Sequence, residues 1–121
     1  LTKSSIKEVC NYFNFKKEIR FYDIDELDIK GSGSDRVLKV VKHFNGKNYI
    51  TGHGAKNYLE HDKFEEEGIN VLYMDYYLEK YNQPFGEFTP FVSVLDLIAN
   101  CGKSGKEWIK SKTIYWKEFV K

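Results

Sequence analysis

Long apolar runs are missing from this chain of 121 residues. No stretch approaches the roughly 20 residues that a bilayer-crossing helix demands, so membrane insertion is not expected. Cysteine is scarce: Cys10 and Cys101 are the only two. One disulfide between them is arithmetically possible, but reduced thiols in a cytosolic setting are favoured. Proline occurs twice, at Pro84 and Pro90, so helix breaking of that kind is confined to one segment. Charge of one sign is missing too. The 19 basic and 18 acidic residues leave +1, without the basic field that drives nucleic-acid binding. His43, His53 and His61 have no zinc-ligand spacing, and no metal or other cofactor is expected. The opening stretch "LTKSSIKEV" has no signal-peptide core. No internal repeat or low-complexity linker interrupts the chain.

What is present is aromatic mass. Nine Tyr, nine Phe and two Trp suffice for one core, since each ring buries a large area. The length fits a single domain over residues 1–121.

Periodicity orders the chain. Ile6, Val9, Cys10 and Phe13 predict a helix over Ser4 to Phe15. "EIRFYDIDEL" carries β-formers from Ile19 to Ile24 and predicts a strand. "DIKGSGS" breaks it. Val37, Val40, Val41 and Phe44 fall at i, i+3, i+4 and i+7, the apolar stripe of a second helix. Ser34 is its expected cap, Asp35 suits its first turn, and Gly46 is the expected left-handed residue at its end. "KNYITG" predicts a strand, "GAKNYLEHDKFEEEG" one or two helical turns closed by Gly68, and "INVLYMDYY" a strand covered on both faces. Short alternating connections imply parallel pairing. The expected fold class is α/β, a three-layer sandwich with a small, mainly parallel, Rossmann-like sheet and flanking helices.

In "SVLDLIANCG", Ser93 and Asp96 match the capping box and Gly102 suits the end of the helix. Val94, Leu97, Ile98 and Cys101 form its apolar stripe, which makes Cys101 a core thiol rather than a nucleophile. Each residue has a structural job. A functional Ser93 or Asp96 additionally requires a convergent pocket.

"CGKSGK" ends like a phosphate-binding loop, but Leu97 stands where that motif needs glycine and a helix precedes it. Two other glycine loops are better placed. Gly31 to Ser34 precedes a helix, with Arg36 in the first turn to pair with an anion. Gly52-His53-Gly54 follows a strand and opens the next helical stretch. Both loops also read as plain turns. Parallel pairing would place them together as one anion pocket, with His53 the histidine best placed for acid–base work.

Three stretches resemble the WbqC-like family: "GSGSDRVLKVVKHFNGKNYITGHGAKNYL", "FEEEGINVLYMDY" and "YNQPFGEFTPFVSVLDLIANCG". The resemblance covers Ile19 to Trp108. It implies a bacterial, cytoplasmic protein of O-antigen or other surface-polysaccharide biosynthesis, with transfer of glycine or another acyl group to a sugar as the implied chemistry. Family positions carry over onto Gly31, Ser34 and Arg36, then Tyr49, Gly52 and Tyr58. They continue through Gln83, Phe88, Pro90, Ser93, Asp96, Asn100, Cys101 and Gly102. Two departures matter. The family's N-terminal strand and Gln-Pro loop have no counterpart, so the chain, which starts at Leu1, reads as a C-terminal part. Phe85 replaces a His common in the family, which removes any acid–base role there.

The expected substrate is a small anionic molecule, a nucleotide-linked or acyl-activated sugar. Arg36 would hold its anion. Ser34 and the backbone around Gly52, His53 and Gly54 would donate hydrogen bonds, and Gly31, Tyr58 and Gln83 would complete the binding set. Asp96 would be the base, with Ser93 and Asn100 beside it as catalytic residues. The rival is a non-catalytic binding or scaffolding module for partner enzymes of the same pathway; a second copy or the missing N-terminal segment is a further expected partner. The aromatic tail "IYWKEFVK" suits that role.

Overall fold

The structure is a computed structural model and describes residues 2–15 and 19–121. It falls into two compact units. The first comprises Leu1–Tyr22 and Tyr77–Lys110; the second comprises Asp23–Tyr76 and Ser111–Lys121.

The second unit is the α/β part. Helix α2 (Gly33–His43), strand β1 (Asn48–Thr51), helix α3 (His61–Glu66), strand β2 (Asn70–Asp75), strand β3 (Lys112–Tyr115) and helix α5 (Trp116–Phe119) follow one another in it. A 3-10 turn, His53–Asn57, leads from β1 towards α3. The sheet order is β1-β2-β3. β1 pairs with β2 in parallel, Tyr49 opposite Val71, and β2 pairs with β3 antiparallel, Tyr73 opposite Ile114.

Here the structure departs from the mainly parallel expectation. The stretch from Ile19 to Ile24 forms no strand, and Ile24–Glu26 is a 3-10 turn capped by Asp23; Glu18 lies outside the described residues. Ile19 and Phe21 stay exposed, so their alternation has no sheet face to serve. The third strand comes from the aromatic tail instead, and the sheet is mixed. β2 was expected to be covered on both faces, but its coverage is unequal. Val71 and Tyr73 are fully buried, whereas Leu72 and Met74 are half-buried.

The core gathers Val41, Ala55, Leu59, Phe64, Ile69, Val71 and Tyr73. Helix ends fix its geometry. At the end of α2 the Asn45 N–H donates to the Lys42 carbonyl and the Gly46 N–H to the Val41 carbonyl, both at 2.9 Å. That is the Schellman arrangement. Asn45, at φ 52°, takes the left-handed position expected of Gly46. Gly46 is needed for another reason: a Cβ there would lie 2.9 Å from Val41 Cγ1. The same arrangement closes α3, where Gly68 is left-handed (φ 69°) and the Ile69 N–H donates to the Phe64 carbonyl. Ser32, not Ser34, occupies the N-cap of α2.

The first unit holds α1 (Thr2–Tyr12), the segment 77–93, α4 (Val94–Cys101) and a 3-10 helix, Gly102–Trp108. Phe13 and Leu97 are its buried apolar residues. They meet over Gly105, where a Cβ would sit 3.1 Å from Leu97 Cγ and 3.4 Å from the Phe13 ring. α4 starts and ends as its sequence predicts: Ser93 caps it and Gly102 (φ 58°) ends it. Both cysteines are free, and Cys101 is half-buried rather than a sealed core thiol.

Candidate functional site

Four of the expected site residues, Gln83, Ser93, Asp96 and Asn100, fall in the first unit. α4 presents Asp96 in its first turn, and the carboxylate does not turn back to Ser93 as a capping box would. Its Oδ2 accepts from the Tyr81 hydroxyl at 2.6 Å and from Gln83 Nε2 at 3.0 Å. The Tyr81 bond, then the Gln83 bond, hold the Asp96 carboxyl below its ordinary range, against the opposing effect of burial. Burial, and then the bond to Asp96, push the Tyr81 phenol up. Gln83 also donates to the Thr89 carbonyl at 3.1 Å and accepts from the Thr89 N–H at 2.9 Å. It therefore pins both ends of the loop that carries Phe85, which is 88% exposed. Ser93 Oγ accepts from the Leu95 N–H at 3.2 Å, and Asn100 Nδ2 donates to the Asp96 carbonyl at 2.9 Å.

The other expected residues lie in the second unit. There a cavity of about 680 Å³ opens along α2. Arg36, Val37, Val40, Phe44, Tyr49 and Tyr58 line it, with Gly33 from the glycine loop at one end. This volume falls within the range of small-molecule sites. Arg36 is half-buried, and its Nε is buried with no hydrogen-bond partner. Among the described residues no carboxylate pairs with it. Its neighbour Asp35 is engaged by Lys63 Nζ at 3.2 Å. Burial, then the proximity of Tyr49, push the Tyr58 phenol up, so it stays a neutral donor at physiological pH.

Ser34 does not line this cavity. It is buried, and its Oγ accepts the Glu60 N–H at 3.0 Å, which ties α2 to the residue that precedes α3. The contact brings the end of the glycine loop beside Glu60; the parallel pairing expected to do this through a strand at Ile19 to Ile24 does not form. Gly52, His53 and Gly54, however, do not line the cavity. His53 Nε2 lies 2.7 Å from the Met74 carbonyl, so Nε2–H donates, and its ring leans on Phe119 with centroids 4.8 Å apart. Gly31 (φ 124°) sits outside the lining as well, near Lys39 Nζ.

The sequence model of the WbqC-like protein family matches residues 1–107. The chain belongs to this family. An uncharacterised protein of Mycobacterium tuberculosis (strain ATCC 25618 / H37Rv) is 26% identical over 112 residues, which cover 91% of this chain and 47% of that protein. The chain thus spans about half the length of this curated relative. No solved structure matches it.

In this WbqC-like chain, then, Arg36 and Tyr58 are the expected binding residues that share a cavity. Gln83 and Asp96 share a hydrogen-bonded cluster in the other unit. Sequence reasoning missed Tyr81, whose hydroxyl makes the shortest of the Asp96 bonds above. It also missed that the α2 stripe, read as core-facing, forms a cavity wall. Only Val41 of that stripe is buried; Phe44 is 39% exposed. Among the described residues no helix is long and apolar enough to cross a membrane.

Proposed function

We propose that this WbqC-like chain binds a small anionic molecule in the α2 cavity, as the recognition part of a transferase-type protein of bacterial surface-glycan biosynthesis. The observation that carries the reading is Arg36: a guanidinium whose buried Nε lacks a partner, set in a cavity of ligand size. A buried donor left unpaired costs stability, so an anion that satisfies it binds with a charge-assisted hydrogen bond. The substrate class is a nucleotide-linked or acyl-activated sugar, and the setting is the cytoplasm.

The role of Ser93, Asp96 and Asn100 in this reading is to shape α4 and the loop it holds. Asp96 is a weak base when two donors stabilise its ionised form. That same feature favours a second reading, a non-catalytic binding module whose partner, a second copy or a further segment of a longer protein, supplies the chemistry. Titration with UDP-glucose and with a short acyl phosphate, followed by amide resonances, tests both. Saturable shifts at Gly33, Arg36 and Tyr58 support the proposal. The absence of any shift, with strong self-association, supports the module.

A further inference from the structure

The α2 cavity has Arg36 at one end and an apolar wall along α2, and Asn48, Tyr49 and Tyr58 line it as well. Gly33 and Arg36 belong to the first turn of α2, and Phe44 is its C-cap residue. At 1.5 Å per residue, this wall is roughly 16 Å long. Between its ends Val37, Val40 and Val41 offer only methyl groups, and Ile24 faces the same space. A sugar laid along such a wall would bury hydroxyls without partners, which is unfavourable. Hydrocarbon meets no such penalty. At the first-turn end the chemistry reverses. The Arg36 Nε is buried and unpartnered, and the neighbouring carboxylate of Asp35 is taken by Lys63.

We infer that the ligand of this cavity is an unbranched apolar chain ending in an anion, a carboxylate or a phosphate, with the anion on Arg36 and the chain laid along Val37, Val40 and Phe44. The inference rests on the anion-binding reading above and puts an apolar acyl or alkyl chain in place of its sugar. The head group accepts a bidentate pair from the guanidinium, whose planar fork matches either anion. The chain displaces water from the valine wall, which supplies affinity in proportion to its length.

The experiment is a calorimetric titration of the whole chain with hexanoate, octanoate, decanoate, decyl phosphate and decanol, all below their micelle concentrations, and with UDP-glucose. Binding with one-to-one stoichiometry and affinity rising about threefold to fourfold per added methylene is expected. Arg36→Ala should weaken decanoate tenfold or more and leave decanol unchanged. Decanoate binding more tightly than decyl phosphate assigns the head as a carboxylate, and the reverse order as a phosphate ester. Val40→Glu should abolish chain binding, and circular dichroism checks that it folds. If it does not fold, the chain-length series still decides. Decanol binding as tightly as decanoate overturns the inference. UDP-glucose bound through Arg36 with no decanoate binding overturns it too, but leaves the anion-binding proposal standing. If neither binds, both fall. A stable dimer that Val40→Glu dissociates means that a second copy covers the groove, and this also overturns the inference.

Discussion

The Tyr81 hydroxyl donates to Asp96 Oδ2 at 2.6 Å, across 15 positions of sequence. With Gln83 on the same oxygen, the bond joins the first turn of α4 to the segment 81–89. It turns a residue that reads as half of a capping box into a clamp between two segments. The bond also fixes the sign of a pH effect. The folded-state carboxyl of Asp96 titrates below its ordinary value, so the clamp stabilises the fold above the unfolded pKa near 3.9 and loses that contribution as pH falls through the folded value. Tyr81→Phe should therefore be less stable than the parent at neutral pH, and the gap should close on acidification below about pH 4. Denaturant unfolding at several pH values measures it. A gap independent of pH would show that the clamp contributes nothing through its charge.

Ser93→Ala should cost about 1 kcal/mol, the usual worth of a side-chain N-cap. The lost bond is the one from the Leu95 N–H. Thermal or denaturant unfolding reads the loss, and Ser93→Asp, which restores an acceptor at the helix start, should recover most of it.

Ser34→Ala should destabilise by about 1 kcal/mol by removing the acceptor of the Glu60 N–H. Hydrogen exchange at Glu60 should rise while exchange in β2 changes little. Unchanged protection at Glu60 would mean that the tie between α2 and the entry to α3 is held by other contacts.

Arg36→Met should leave folding intact or raise stability by about 1 kcal/mol, because it keeps an apolar stem and removes a buried unpartnered donor. The substitution should abolish anion binding. A stability gain with lost binding is the pattern of a residue retained for a ligand. A marked destabilisation would reveal a structural role for the guanidinium.

His61 provides a second pH signal of opposite position on the scale. Its Nε2 lies 2.8 Å from the Tyr73 hydroxyl and its ring stacks on Trp116, with centroids 4.5 Å apart. Burial lowers its pKa, against the raising effect of Asp62. The unfolded chain then binds more protons just below about pH 6.5, so stability should fall as pH drops through that window. His61→Gln should flatten this slope, which a stability–pH profile reports, and an imidazole titrating at or above 6.5 in the folded protein would contradict it.

Local rules carried the elements that depend on local chemistry. The stripe Val37, Val40, Val41 and Phe44 specified α2, Ser93 and Gly102 specified the ends of α4, Gly68 closed α3, and Val71 to Met74 specified β2, because propensity, capping and periodicity act within a few residues. Family membership was legible too, in motifs such as "QPFGEFTPF". Other outcomes depended on partners distant in sequence. Ile19 to Ile24 has the composition of a strand but found no sheet edge, while β3 formed in the tail because β2 offered one. A strand exists only as a pair. Ser34 was legible as a cap but became an acceptor for Glu60, and His53 spent its ring on the Met74 carbonyl, 21 residues away. The apolar stripe of α2 announced a buried face; that most of it became a cavity wall with Arg36 at one end was decided by packing. Periodicity states which side of a helix avoids water, but only the assembled neighbours determine whether protein or a ligand covers it.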